Sequence, residues 1–173
     1  SNTSINQEEK QDIPINAPFH DSRPALRWKF TTGNNNLVSS PLLANGTVYI
    51  GSGNGDFFAL DTTVGDVIWK YPAGKIIYTS SSIADGIIYM GSSHEVYALD
   101  AHSGKFIWKY KISGDIHSTP TASNGLVFFG GGGSGDVNVY ALDGRLGTLT
   151  WKYPVGNDIK SSPAVTNGVV YIG

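Results

Sequence analysis

The chain has 173 residues and a formal net charge of −2, so its overall charge offers no general attraction to nucleic acid or to an anionic membrane. It contains no cysteine, which excludes a disulfide framework, a thiolate nucleophile and a cysteine-ligated zinc site. Its 22 glycines, 9 tyrosines and 4 tryptophans are typical of a turn-rich all-β protein. We expect no membrane span in this segment, because the sequence lacks an apolar run of about eighteen residues.

Residues 1–25 differ in composition from the rest of the chain. They are polar and charged as far as Asp12 and are then interrupted by Pro14 and Pro18. Such a stretch cannot bury enough apolar surface to fold by itself. We interpret it as an N-terminal tail or tether.

From residue 26 onward the sequence repeats a unit of about forty residues. Each complete unit carries a tryptophan followed by lysine and preceded by an Ala-Leu-Asp sequence and a glycine, and a fourth Trp-Lys pair precedes the first unit without that sequence. Asn-Gly or Asp-Gly pairs stand between apolar runs at 45–46, 85–86, 124–125 and 167–168, which predicts tight hairpins. The marker residues are Trp28, Trp69, Trp108 and Trp151, with Asp61, Asp100 and Asp143, and Gly65, Gly104 and Gly147.

The pattern predicts four short strands in each unit. In the first unit these are residues 39–43, 47–51, 57–61 and 67–71, and Trp28 is expected in an outer strand that precedes them. A period near forty with four strands per unit predicts a β-propeller of four-stranded antiparallel blades. The predicted units are 31–71, 72–110, 111–153 and a partial unit at 154–173.

Three complete blades and parts of others are too few for the ring sizes that propellers usually adopt, about four to eight blades. We therefore expect a segment of a seven- or eight-bladed ring. The remaining blades would come from a longer chain or from a second copy.

The string Ala-x-Asp, three residues, Gly, three residues, Trp resembles the tryptophan-docking motif of PQQ-type propeller repeats. Those repeats occur in quinoprotein dehydrogenases and in non-enzymatic, BamB-like assembly factors. The resemblance covers residues 26–173 and implies that each tryptophan packs between neighbouring blades, with alanine and glycine leaving it room. It also implies a periplasmic or otherwise extracytoplasmic protein, and we favour the BamB-like branch.

Several features that suggest chemistry have simpler explanations. The glycine run 130–133 lacks the Gly-Lys-Ser/Thr ending of a phosphate loop and joins two strands, so we expect a long hairpin. The four histidines do not have metal-ligand spacing, and we expect no metal site, no catalytic residue and no bound cofactor. An aspartate that recurs once per blade is expected to build the blade, so Asp61, Asp100 and Asp143 are interpreted as turn and blade-contact groups.

Positions that vary at a fixed place in the repeat are free to serve function. The loops that lead into the first strand of each unit contain Val38, Tyr78, His117 and Lys160 at one such position, and Asn36, Ile76, Asp115 and Asp158 two residues earlier. Because the first strand of a propeller blade lines the axis, these loops should meet on one face. The candidate partner or ligand face therefore comprises Tyr78, His117, Lys160, Asp115 and Asp158.

Two functions fit these observations. The first is a non-enzymatic scaffold that binds a protein partner through the loops of one face. The alternative is a fragment of a PQQ-dependent quinoprotein dehydrogenase. Its cofactor would need stacking partners, yet no tryptophan falls in a predicted axial strand, and the vicinal cysteine pair of many such enzymes is excluded.

Overall fold

A computed structural model describes residues 25–33, 39–133 and 135–173. These residues form β-strands and turns and contain no helix. The all-β prediction is therefore confirmed for the described chain. The strands are β1 Leu42–Ala44, β2 Thr47–Gly51, β3 Asp56–Asp61, β4 Val67–Pro72, β5 Ser81–Ala84, β6 Ile87–Ser92, β7 Glu95–Asp100, β8 Phe106–Lys111, β9 Thr121–Ser123, β10 Leu126–Gly130, β11 Asn138–Asp143, β12 Leu149–Pro154, β13 Ala164–Thr166 and β14 Val169–Tyr171.

The strands form three four-stranded antiparallel sheets and one two-stranded sheet, each in simple chain order. We call β1–β4 blade 1, β5–β8 blade 2, β9–β12 blade 3 and β13–β14 the partial blade. Every complete blade has the same register irregularity between its third and fourth strands, just after the alanine of the Ala-Leu-Asp sequence. This repetition of up-and-down sheets confirms the prediction of propeller blades.

The hairpins turn at the predicted pairs. Asn45, Asp85, Asn124 and Asn167 have φ between 49° and 52°, and the glycine that follows each also has positive φ. This is the conformation that a two-residue hairpin loop requires, and Asn, Asp and Gly adopt it at the lowest cost.

Two strand predictions need correction. Blade 1 was expected to begin at residue 39, but β1 begins at Leu42, because Ser39 is hydrogen-bonded through its side chain to Gly51 and Pro41 has no N–H to donate. Trp28 was expected in an outer strand, yet residues 26–30 around it pair with no described strand. The Trp28 side chain nonetheless contacts blade 1.

The apolar core lies between the blades. One cluster joins blade 1 to blade 2 and includes Tyr49, Trp69, Ile88 and Leu99, and a second joins blade 2 to blade 3. A single blade has no core of its own, so each blade depends on its neighbour for burial of its apolar side chains.

Candidate functional site

Three tryptophans make the same contact with the following blade. The indole N–H of Trp69 donates a 3.0 Å hydrogen bond to the carbonyl of Ala101, and that of Trp108 donates a 2.8 Å bond to the carbonyl of Gly144. Trp28 reaches the carbonyl of Thr62 in the same way, at 2.9 Å. Trp151 contacts no such turn among the described residues and is 38% exposed.

A glycine lies under each docked indole ring. A Cβ placed on Gly65, Gly104 or Gly147 would stand 2.5 to 2.6 Å from the Cδ2 atom of Trp28, Trp69 or Trp108 respectively. Side-chain carbons do not approach so closely, so only glycine leaves room for the ring. The glycine of one repeat therefore lies against the tryptophan of the repeat before it.

The recurring aspartates organise the turns on which these rings dock. In blade 2 the Asp100 carboxylate accepts hydrogen bonds from the backbone and the hydroxyl of Ser103, at 2.7 and 2.6 Å. These bonds hold the pKa of Asp100 below its usual value, because they favour the ionised form. Asp61 accepts from Thr63 and Val64, which lowers its pKa, and Asp143 accepts from Arg145 and Leu146.

A second inter-blade contact escaped the sequence analysis. The isoleucines that precede β5, β9 and β13 are each buried against a glycine at, or one residue before, the end of the second strand of the preceding blade. A Cβ on Gly51, Gly91 or Gly130 would meet Cγ2 of Ile77, Ile116 or Ile159 at 2.1 to 2.8 Å. The available signal was the recurrence of glycine near the end of the second strand and of isoleucine a few residues before the first strand of the next unit.

The same glycines are held by a hydroxyl. Thr79 Oγ1 accepts a 2.8 Å hydrogen bond from the Gly91 N–H and donates a 3.1 Å bond to its carbonyl. Ser39 with Gly51, Ser118 with Gly130, and Ser161 with Gly173 repeat this two-way bond. Each lead-in loop is therefore fixed at the residue after the candidate position.

These anchors explain why the candidate side chains point outward. Tyr78 stands between Ile77 and Thr79, which are 0% and 2% exposed, and is itself 41% exposed. His117 stands between Ile116 and Ser118, both fully buried, and is exposed. Lys160 likewise follows buried Ile159 and is exposed. In extended backbone, alternate side chains point to opposite sides, so burial of the flanking residues directs the middle one to solvent.

Some of the predicted face residues come together. The rings of Tyr78 and His117 lie with centroids 6.1 Å apart at an angle of 59°, on adjacent blades. Lys160 occupies the equivalent position on the partial blade, and the structure shows no ion pair between it and a described residue. Val38 and Asn36, which were aligned with these residues, lie outside the described chain.

The two aspartates of the predicted face are engaged locally. Asp115 Oδ1 lies 3.1 Å from Nδ1 of His94, which also lies 2.8 Å from the carbonyl of Gly114. Asp158 accepts a 2.7 Å hydrogen bond from the N–H of Gly133. The loop between β10 and β11, which was expected only as a long hairpin, is therefore held by the Asp158 carboxylate and by two backbone hydrogen bonds between Asp115 and Gly132, whereas the Asp115 carboxylate contacts His94 in the turn between β6 and β7.

That loop also carries a buried carboxylate that the sequence analysis missed. Asp136 is 7% exposed and accepts hydrogen bonds from the Ser113 N–H at 2.9 Å, from Asn138 at 2.8 Å and from the Tyr140 hydroxyl. Burial raises the pKa of Asp136, but these donors outweigh that effect and hold the pKa below its usual value. Asp136 thus fixes the loop to the start of blade 3.

The described chain offers no cluster of three or more His, Asp or Glu side chains that could hold a metal ion. Among the same residues we find no helix of sufficient length and apolar character to span a membrane.

Comparison with known proteins gives the family. The family described as outer membrane protein assembly factor BamB matches residues 21–115 and 74–173, which together cover most of the chain. The protein of that name from Francisella tularensis subsp. tularensis is 32% identical over 91 residues, which cover 46% of this chain and 20% of that protein. The chain therefore matches a minor part of the length of this relative.

Solved structures give the fold. BamB from Moraxella catarrhalis superposes with a TM-score of 0.73 at 24% identity, over 84% of this chain and 46% of that one. A europium-containing methanol dehydrogenase superposes with a TM-score of 0.65 at 26% identity, over 73% of this chain and 26% of that one. Both likenesses rest on the repeated blades. The extent of the family match shows that this chain belongs to the family of outer membrane protein assembly factor BamB, which is built from PQQ-type propeller repeats.

Proposed function

We propose that this chain is part of a non-enzymatic, extracytoplasmic propeller scaffold that binds a protein partner through the loops leading into its blades. The observation that carries the proposal is the family match over residues 21–173, since the relatives in that family are outer membrane assembly factors by name. An extracytoplasmic location follows from the same resemblance.

The loop face supports this proposal because it combines a constant frame with variable side chains. Ile77, Ile116 and Ile159 are buried in the lead-in loops of blade 2, blade 3 and the partial blade, whereas the next position in these loops holds tyrosine, histidine or lysine. Aromatic side chains such as Tyr78 are enriched at protein interfaces, where they bury a large area at low entropic cost. A rigid frame that presents exposed aromatic and cationic groups is suited to recognition of another protein.

The alternative, a fragment of a quinoprotein dehydrogenase, draws support from the superposition on methanol dehydrogenase. In this chain, however, Trp69 and Trp108 lie in outer strands and are buried between blades, and neither is free to stack on a quinone. Mass spectrometry of a longer natural chain, purified under native conditions, separates the two functions. A bound quinone would favour the dehydrogenase.

The partner face is tested by site-specific photo-crosslinking in cells. A photoreactive phenylalanine analogue replaces Tyr78 or His117 in the variant proteins, and a matched control carries it at Leu146, which is 70% exposed in the turn between β11 and β12. We expect a discrete protein adduct from the first two positions and none from the control. Equal labelling from all three positions, or none from Tyr78 and His117, would overturn the proposal.

A further inference from the structure

A polar cleft of about 600 Å³ opens between blades 2 and 3. Its lining includes Tyr110 and Ser113 from blade 2 and the loop after it, and Asp136, Tyr140 and Lys152 from blade 3. The rings of Tyr110 and Tyr140 lie 6.1 Å apart at 58°, but Tyr140 is only 3% exposed, so the accessible aromatic surface of the cleft belongs to the partly buried Tyr110. None of the residues used for the partner face is required for this cleft.

Lys152 is the unusual member of a repeated set. The lysine after the tryptophan forms an ion pair with the first residue of the third strand in the other two complete blades. Lys70 lies 2.8 Å from Asp56, and Lys109 lies 2.9 Å from Glu95. Each of these ammonium groups also stands over an aromatic ring, Phe58 at 5.5 Å and Tyr97 at 5.8 Å.

Blade 3 lacks the acidic partner. Asn138 begins β11 at the position that Asp56 and Glu95 occupy in β3 and β7. Lys152 therefore forms no ion pair with a described residue, although it stands directly across the sheet from Tyr140, on the side that faces blade 2. An amide cannot neutralise an ammonium group, so the charge of Lys152 remains available.

The nearby carboxylate does not compensate for this loss. Asp136 stands on the wall of the same cleft, but its oxygens already accept from Ser113, Asn138 and Tyr140. No oxygen of Asp136 lies within ion-pair distance of Lys152. The cleft thus holds the ammonium group of Lys152 beside the partly exposed ring of Tyr110, without the paired carboxylate that Asp56 and Glu95 supply in blades 1 and 2.

We propose that this cleft binds a carboxylate on a short aliphatic stem, which takes the place of the missing acidic side chain. The ammonium group of Lys152 pairs with the carboxylate, and the partly exposed ring of Tyr110 packs against the stem. The ligand is either a glutamate side chain of a bound peptide or a free dicarboxylate, since both present the same chemistry. This site uses other residues than the proposed partner face, so either site can bind its ligand without the other.

The test is an NMR titration of the isotope-labelled 173-residue chain with glutarate and, separately, with a blocked tri-glutamate peptide. We expect saturable shift changes at residues 110–113 and 136–140. Lys152→Gln should weaken binding about tenfold, because a charge-assisted contact is lost. Asn138→Glu should weaken it at least as much, because the new carboxylate would pair with Lys152 as Glu95 pairs with Lys109.

The matched control is Lys70→Gln, which removes the lysine at the same repeat position in blade 1, where it is already paired with Asp56. That variant should bind both ligands as the unaltered chain does. Tighter binding of the peptide would identify a peptide segment as the ligand, and equal binding would identify a free dicarboxylate. Absence of saturable shifts for both ligands, or unchanged affinity in a folded Asn138→Glu variant, would overturn the proposal.

Discussion

The indole N–H of Trp108 donates a 2.8 Å hydrogen bond to the backbone carbonyl of Gly144 in the next blade. The Tyr89 hydroxyl donates to the same carbonyl at 3.2 Å, so one acceptor of blade 3 receives two side chains of blade 2. Trp69 and Tyr49 converge in the same way on Ala101. Neighbouring blades are thus joined by hydrogen bonds to a turn carbonyl as well as by the buried apolar side chains between them.

Removal of a docked tryptophan should destabilise the chain strongly. Trp108 is 7% exposed, and we expect Trp108→Ala to reduce the free energy of unfolding by about 3–5 kcal/mol, because the lost ring leaves a cavity between blades. Trp151→Ala is the matched control, since Trp151 is 38% exposed and should cost clearly less. Chemical denaturation measures both, and equal midpoints for the two variants would contradict the docking role.

The glycine beneath a ring should tolerate alanine less well than a glycine in open space. Gly104 and Gly86 have similar φ values of +69° and +75°, so alanine strains the backbone equally at both, by about 1 kcal/mol. Only at Gly104 would the new Cβ approach the ring of Trp69, at 2.6 Å. We expect Gly104→Ala to cost about 2 kcal/mol more than Gly86→Ala in thermal or chemical unfolding, through overpacking. Equal losses would show that the ring can move freely.

Local sequence patterns were sufficient to predict the blades, because hairpin turns and strand alternation depend on neighbouring residues. The Asn45-Gly46 turn and the four strands around it required no long-range information. Trp28 shows the limit of that approach. Its strand was expected by analogy with Trp69, yet a strand needs a paired neighbour, which residues 26–30 lack among the described residues.

Prediction of the candidate surfaces was less complete for the same reason. The exposure of Tyr78 and His117 could be expected from their position in the repeat, but the 6.1 Å approach of their rings depends on the spacing of two blades. Burial of Asp136 under Ser113 joins two loops that are 23 residues apart in the sequence, and no local pattern marks it. The free charge of Lys152 was visible in the aligned repeats as asparagine in place of an acid, although the cleft was not.

Stability should decrease at alkaline pH, and Tyr89 should contribute to that decrease. Burial, together with the nearby charges of Asp85 and Asp143, raises the pKa of Tyr89 from 10.0 to about 12. Between these values the unfolded chain loses a proton that the folded chain retains, so the free energy of unfolding falls as pH rises from about 10 to about 12. Below pH 10 the contribution of Tyr89 is fully present.

The alkaline effect is measured by denaturation at a series of pH values for Tyr89→Phe and for Tyr153→Phe, which alters a tyrosine that is 66% exposed. Tyr89→Phe should flatten the decline, whereas Tyr153→Phe should leave it unchanged. At neutral pH, Tyr89→Phe should cost about 1 kcal/mol for the lost bond to Gly144. A slope identical to that of the unaltered chain would contradict the assignment to Tyr89.

The side of blade 3 that the partial blade covers only in part should make the 173-residue chain self-associate. A cleft of about 480 Å³ lies there, lined by apolar side chains that include Trp151, Tyr153 and Val170, and Tyr153 is 66% exposed. Contiguous apolar surface of this kind is uncommon on monomers and favours contact with another protein surface.

We expect light scattering after size exclusion to give a mass above 18.5 kDa that increases with concentration. Tyr153→Lys should shift the population toward the monomer, while Leu146→Lys, at an exposed site in the turn between β11 and β12, should not. A monomer of 18.5 kDa with a sharp, cooperative melt would contradict the prediction.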